Sequence, residues 1–492
     1  MNPPATSSPA KSAPARADHR MPHRWLILAV IGVAQLMVVL DATVVNIALP
    51  TAQLDLHFSD ADRQWVVTAY ALAFGSLLLL GGRVADLFGR KNAFLVGLAG
   101  FALASVLGGS AHGFGTLIIA RLVQGVFSAL LAPAALSLLT TTFTDPAERG
   151  KAIGIFSAVA GSGASVGLLL GGFLTENVDW RWTLYVNVLF AAVAFAGGLV
   201  LLRRTPRSRT HLDIPGTLLA SAGLFCLVYG FAAAGTHSWS SPDTWGFLVG
   251  SVVLLALFAL WQTRTTHPLM PPRILLDRNR GAAFAALLVL GAGLFGLLLF
   301  LTYYLQQVQH FSPVRTGLAF LPMNLSMMLT AASGAGVLVP RFGPRLVMSS
   351  GMILSAGGAL WLTTIGAHTG YSVHVLPALI VMGLGMGAVF ATAMGQATTG
   401  VAPQDAGVAG ALVNTMQQTG GSLGPALLNT VFASRAAGYL ARHHGGIPGV
   451  RSAATVEGYR AVFLCAAVFF AVGLVVAGLL FRRRRPAAEL SA

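Results

Sequence analysis

Asp41 is the only acidic residue lying deep inside a stretch long and apolar enough to sit in lipid, the run from Trp25 to Pro50. A carboxylate near the middle of a bilayer costs about 2.5–3.5 kcal/mol on insertion scales, so it is kept where it faces a cavity, a partner or a proton path. Depth points to the partner. Asp41 lies about nine residues before Pro50, roughly 14 Å along a helix, and Arg121 about six residues into a later apolar run, roughly 9 Å from its end. If their helices are neighbours, the two charges meet at comparable depth. The chemistry that suits such a pair is uptake and release of a proton as the acid is exposed to one side and then the other. The plainer alternatives are a carboxylate bonded to nearby Thr43 and a buried pair that only holds helices together. The roles can coexist.

Other chemistries lack their residues. The twelve histidines fall in tails, loops or span ends, and Cys226 and Cys465 stand in separate apolar runs. No nucleophile triad, metal-ligand cluster or disulfide framework emerges, so the reading is of a non-enzyme with no metal and no cofactor.

The elements that must position Asp41 follow from composition. Over 492 residues the chain is 55% hydrophobic and 10% charged, with mean hydropathy +0.73, values that exclude a water-soluble globular protein of this size. Apolar runs of about 20 residues fit helices crossing a bilayer, not barrel strands of about 10. Fourteen spans are expected, near 25–50, 63–82, 93–112, 115–139, 151–174, 182–202, 213–234, 244–262, 281–307, 315–339, 344–366, 373–396, 406–433 and 458–481.

The formal charge of +15 is spread through short loops, which argues for topology and against nucleic acid. Arg83, Arg90, Lys91, Arg149, Lys151, Arg203, Arg204, Arg341, Arg345 and Arg482 to Arg485 fall on one side with both tails. Arg63, Arg181, Arg315, Arg435, Arg442, Arg451 and Arg460 are all the other side holds. The positive-inside rule then puts both termini in the cytoplasm of a multi-pass cell-membrane protein. Abundant Ala, Gly and Arg point to a bacterial source.

The chain also resembles itself. Gly82 to Lys91, after the second span, aligns with Gly336 to Arg345, after the tenth, at an offset of about 254 residues; Gly163 and Gly167 align with Gly420 and Gly424 at a similar offset. A duplicated six-helix half with two helices inserted between the copies accounts for both markers. The expected fold is all-α and polytopic: a cytoplasmic tail over 1–24 expected to be disordered, an N-terminal six-helix bundle over 25–203, a linker with two extra transmembrane helices over 204–280, a C-terminal six-helix bundle over 281–481 and a cytoplasmic tail over 482–492. Parallel repeats with a site between them are a common transporter plan.

The loop Gly82-Arg83-Val-Ala-Asp86-Leu-Phe-Gly89-Arg90-Lys91 and the stretch Leu40-Asp41 through Pro50 carry a family likeness. Supporting it are Arg121-Leu-Val-Gln124-Gly125, Trp180-Arg181-Trp182 through Asn187, and Tyr304-Leu-Gln306-Gln307 with Ser312-Pro313 and Gly317. On these motifs the chain resembles the major facilitator superfamily, in its 14-helix drug:proton antiporter branch, over nearly its whole length. The resemblance implies the major facilitator fold and proton-coupled transport. In the loop, Gly82 and Gly89 permit tight turns, and Asp86 is placed to bond Arg90 or a helix N-terminus as a charge latch, with Lys91 beside it. The glycines Gly163, Gly167, Gly171 and Gly172 resemble the branch's antiporter signature, except that Leu168 stands where the family usually has Pro. Close helix packing explains the same glycines without any gating role.

Gln35, Asn46, Gln124, Tyr303, Tyr304, Gln306, Asn324, Asn414 and Gln417 are polar or amphipathic positions within apolar helices and are candidates to line a substrate pocket; interhelical bonding is the alternative for each. The expected function is proton-driven export of drugs, antibiotics or amphipathic natural products by alternating access, with proton-coupled uptake of a small metabolite as the alternative. Expected partners are an amphipathic small molecule, protons and the lipid bilayer, with the protein working as a monomer.

Overall fold

The computed structural model describes residues 23–481 except 61, 144, 204–212, 237–238, 240, 267, 270–273, 275–276, 399–400, 402–405 and 444–448. The expected tails therefore lie outside the described residues, apart from 23 and 24. Fourteen helices of 19 residues or more run through the rest. They are α1 (Arg24–Leu56), α2 (Arg63–Phe88), α3 (Arg90–Gly109), α4 (Phe114–Thr142), α5 (Pro146–Asn177), α6 (Trp182–Leu201), α7 (Ile214–Thr236), α8 (Pro242–Arg264), α9 (Arg278–Tyr303), α10 (Pro313–Ser333), α11 (Pro344–Leu362), α12 (Leu376–Thr398), α13 (Ala406–Arg442) and α14 (Val450–Leu480). Ten contain a stretch long and apolar enough to cross a membrane. The other four, α2, α5, α10 and α13, meet at the centre of the molecule, α2 on α13 and α5 on α10.

Packing repeats with the sequence. In the first half α1 lies against α5 and α6, α2 against α4, and α3 against α4 and α6; in the second, α9 lies against α13 and α14, α10 against α12, and α11 against α12 and α14. The two sequence markers share backbone and contacts as well. Gly89 and Gly343 both take positive φ, +91° and +79°, where glycine alone is unstrained, and each turns the chain into the next helix. Gly163, Gly167 and Gly171 face Leu36, Thr43 and Val44 of α1, as Gly420 and Gly424 face Leu288 and Ala292 of α9. Small residues here let two helix backbones approach closely.

The halves are joined unevenly. A continuous apolar core runs from the second half into Ile47, Leu49, Val66, Leu117, Leu168 and Trp180, on the face opposite the chain ends. Toward the face carrying the chain ends, the first half keeps a core of its own around Ile31, Met37, Phe94, Phe101 and Leu139. The opposite face is thus the closed one. There the carbonyls of Leu168 (α5) and Pro313 (α10) pack onto Gly317 and Gly172, and a Cβ built on Gly317 would lie 2.5 Å from the Leu168 oxygen. Gly317→Ala is expected to cost about 1–3 kcal/mol by overpacking and to wedge this seam. Disulfide formation between cysteines at Glu176 and Val314, whose carboxylate and backbone N–H lie 2.9 Å apart, should drop roughly five-fold or more.

Helix α1 outruns its expected end at Pro50. Proline breaks the helical hydrogen-bond ladder, but such breaks are tolerated where neighbours satisfy the freed groups. Pro50 takes the helical donor from the Asn46 carbonyl, and one residue on Gln306 Nε2 donates to the Ile47 carbonyl at 3.0 Å, tying this irregular turn to the second half. The added turns are held by Asp55, which accepts from Arg181 at 2.9 Å and Trp180 at 3.2 Å. The second half has its own irregularity in the same place, a π-helical turn over Tyr304–Val308 that continues α9.

The extra hairpin, α7 and α8, packs through α7 on both α2 and α13. Ser221 donates to the Ser76 carbonyl at 2.8 Å, and the Tyr229 ring lies 5.6 Å from that of Trp65. Its base is fixed by Asp213, just before α7. Asp213 accepts from Gly216 N (2.9 Å), Trp261 Nε1 (2.7 Å), Gln262 Nε2 (2.6 Å) and, longer, Leu269 N (3.4 Å). Burial pushes this carboxyl up, but the four donors together hold it below its ordinary value. Its contribution is therefore complete above the ordinary carboxylate pKa of about 3.9 and disappears as pH falls through the lower folded value. Asp213→Asn should cost the hairpin about 1–3 kcal/mol at neutral pH by turning donors on donors, read as faster hydrogen exchange over α7 and α8.

Candidate functional site

Asp41 sits in the interior of the first half with no exposed surface, and Arg121 is 2% exposed. The carboxylate takes three bonds from two helices. Oδ2 accepts from Arg121 Nη1 at 2.6 Å, while Oδ1 accepts from Asn187 Nδ2 at 2.7 Å and Gln124 Nε2 at 3.1 Å. Arg121 and Gln124 are one turn apart on α4, so both reach the same spot, and Arg121 Nη1 also donates to Gln124 Oε1 at 2.8 Å. Arg121 is completed by α2: its Nε donates to the Val66 carbonyl at 3.1 Å and its guanidinium lies 4.5 Å from the Tyr70 ring centre. Gln124 Nε2 reaches Ser105 of α3 at 2.8 Å, and Tyr70 Oη reaches Ser128 of α4 at 3.2 Å.

Five helices thus build one dry, bonded charge cluster around a single carboxylate. Among the described residues of α5, the sixth helix of this half, none supplies a polar group to it. Its glycine stripe instead lets α5 lie close against the opposite face of α1, at Thr43 and the Leu40 carbonyl. Sequence reasoning paired Asp41 with Arg121, named Gln124 as a pocket candidate and placed Gln124 and Asn187 within family motifs. It gave no role to Ser105, Ser128 or Tyr70, whose only signal was a polar side chain within an apolar helix.

The remaining candidates are spread along the central seam. Gln35 is half-buried on α1, as are Asn414 and Gln417 on α13, where Asn414 Nδ2 donates to the Gly410 carbonyl. Asn46 is buried and donates to the Ala42 carbonyl of its own helix at 2.8 Å. Asn324 is buried in α10. Tyr303 and Tyr304 are buried too: Tyr303 Oη donates to Gln53 Oε1 of α1 at 2.6 Å, and Tyr304 Oη to the Gly366 carbonyl at 2.8 Å. Gln306 also bonds across the halves, to α1 as described. In the loop motif, Lys91 Nζ donates to the carbonyls of Leu199 in the last turn of α6 at 2.8 Å and of Leu202 just past its end at 2.5 Å, which suits a cation at a helix C-terminus. Gly82 lies beside Pro133 of α4, Gly89 makes the turn and Arg90 opens α3. The Asp86 side chain, and with it the expected latch, lies outside the described residues.

Residues 31–425 match the Major Facilitator Superfamily. The chain belongs to that superfamily. This major facilitator protein is 51% identical over 459 residues to the puromycin resistance protein pur8 of Streptomyces alboniger, covering 92% of this chain and 90% of that one. It is 37% identical over 413 residues to the tetracenomycin C resistance and export protein of Streptomyces glaucescens, covering 84% and 76%. In fold it matches the crystal structure of an auto-inhibited POT family peptide transporter with a TM-score of 0.68 at 16% identity, covering 94% of this chain and 99% of the other. It is a multi-pass membrane transporter, not an enzyme.

Proposed function

We propose that this transporter is a proton-driven exporter of antibiotics or related amphipathic compounds, working as a monomer by alternating access in a bacterial cell membrane, with the chain ends in the cytoplasm. The observation that carries the reading is the bonded cluster around Asp41. A carboxyl group buried in the first half and bonded to Arg121, Gln124 and Asn187 is placed to exchange a proton when those bonds open. Because those bonds join five helices of one half, a shift among these helices as the transporter changes face would open them, making proton binding and change of face one event. The relatives named for antibiotic resistance and export, alike over most of their length, support the substrate class. The excess of basic residues on the face of the chain ends supports the orientation. Gln35, Asn414 and Gln417, half-buried on helices that line the seam, are the first substrate contacts to test.

The test uses everted membrane vesicles, in which the cytoplasmic face is outside. Export appears as accumulation of puromycin, used as the probe, inside energised vesicles, and collapse of the proton gradient should abolish it. Accumulation that ignores the gradient would remove the coupling, and movement out of the vesicles would mean uptake in the cell.

A further inference from the structure

Arg63 opens α2 in the first half, yet its side chain is 1% exposed and lies within the second half. Its guanidinium is 4.5 Å from the ring centre of Tyr303, 4.7 Å from Phe432 and 5.0 Å from Phe300. Behind them the Tyr459 ring is 5.0 Å from Phe432. Nε and Nη2 find no hydrogen-bond acceptor among the described residues. The nearest carboxylate, exposed Asp60, is 3.9 Å away on Arg63's own segment. The cation is therefore held by ring faces that belong to α9 and α13, and by them the two halves are joined on the face opposite the chain ends.

We propose that Arg63 is the plug of that face: a cation carried by the first half that fills an aromatic box on the second, and that must be withdrawn each time the transporter opens to that side. The inference rests on the alternating access in the proposed function, but not on proton coupling or on the substrate. Ring faces suit this task better than a carboxylate. A dry ion pair is hard to separate because each partner is left charged and unpaired, whereas a cation drawn off aromatic faces leaves behind an apolar box and gains its own hydration. Caged, Arg63 has ring faces in place of hydrogen-bond acceptors, and withdrawn it gains water, so neither position is prohibitive and the element can have two states. Tyr303 ties the same spot to α1 through Gln53, so withdrawal of the plug and release of that bond fall together.

The experiment measures the distance between spin labels at Leu54 of α1 and Ser434 of α13, both exposed. The full chain is held in lipid nanodiscs with Cys226 and Cys465 replaced by Ser. Arg63→Ala should raise the ratio of wide to narrow distances about ten-fold, Arg63→Lys should restore part of the narrow population, and Tyr303→Leu should mimic Arg63→Ala. If Arg63→Ala does not fold, Tyr303→Leu and Phe432→Leu carry the test. Distance distributions identical to the parent in the variants that fold would overturn the proposal, as would a lowered melting temperature without any widening. The readout needs neither substrate nor proton gradient, so its failure is separate from a failure to export.

Discussion

Asp41→Asn is expected to reach the membrane at parental levels and yet build no substrate gradient. The substitution keeps the size of the side chain and Oδ1 still accepts from Asn187 and Gln124, but the new Nδ2 meets Arg121 Nη1 donor to donor, so a loss of stability is expected beside the loss of coupling. Arg121 retains the Gln124 oxygen, the Val66 carbonyl and the Tyr70 face. What disappears is the group that can gain and lose a proton. One proton moving down 100 mV supplies about 2.3 kcal/mol, equivalent to a roughly fifty-fold concentration ratio. In everted vesicles at that potential the variant's ratio should fall to unity. Exchange of labelled for unlabelled puromycin, which needs no proton, should persist, and that persistence separates lost coupling from a broken protein. Undiminished gradient-driven accumulation would end the assignment of Asp41.

Arg121→Met should be the more damaging change to the fold itself. Removing one member of a buried ion pair costs about 3–5 kcal/mol, because the other charge stays buried with only neutral donors. Here the loss also takes from the Val66 carbonyl its side-chain donor and from Tyr70 its cation. Thermal unfolding in detergent should show the drop. The double variant Asp41→Asn with Arg121→Met should recover a large part of it, since neither charge then remains. The coupling energy from the four-variant cycle measures the pair directly. An additive double variant would mean that the 2.6 Å contact contributes little to holding α1 on α4.

Much of the fold was legible because bilayer spanning forces a pattern on sequence. Apolar run lengths gave the helices, and repeated glycines at one offset gave the repeat; Gly89 and Gly343 then share a backbone conformation that few other residues take. The pairing of Asp41 with Arg121 was legible for a similar reason, since depth along a helix can be counted from its ends. Lateral relations could not be counted. Asn187 reaches Asp41 only because α6 lies beside α1, and the family motif that ends at Asn187 does not say what it touches. Arg63 read as one of the few basic residues on the outer side; its box is made by Phe300, Tyr303 and Phe432, 237 to 369 positions later, so its burial has no local sign. The overrun of α1 past Pro50 likewise depends on Gln306 and Arg181, donors that come from elsewhere in the chain.

The α7–α8 hairpin leaves the two flanks of this transporter unequal. On one flank α7 bridges α2 and α13 and covers the line along which they meet; on the other, no described helix covers α5 and α10. Gly172 and Gly317 let the α5 and α10 backbones touch, so this seam is held by its own close packing, whereas the other is also clasped from outside by a third helix.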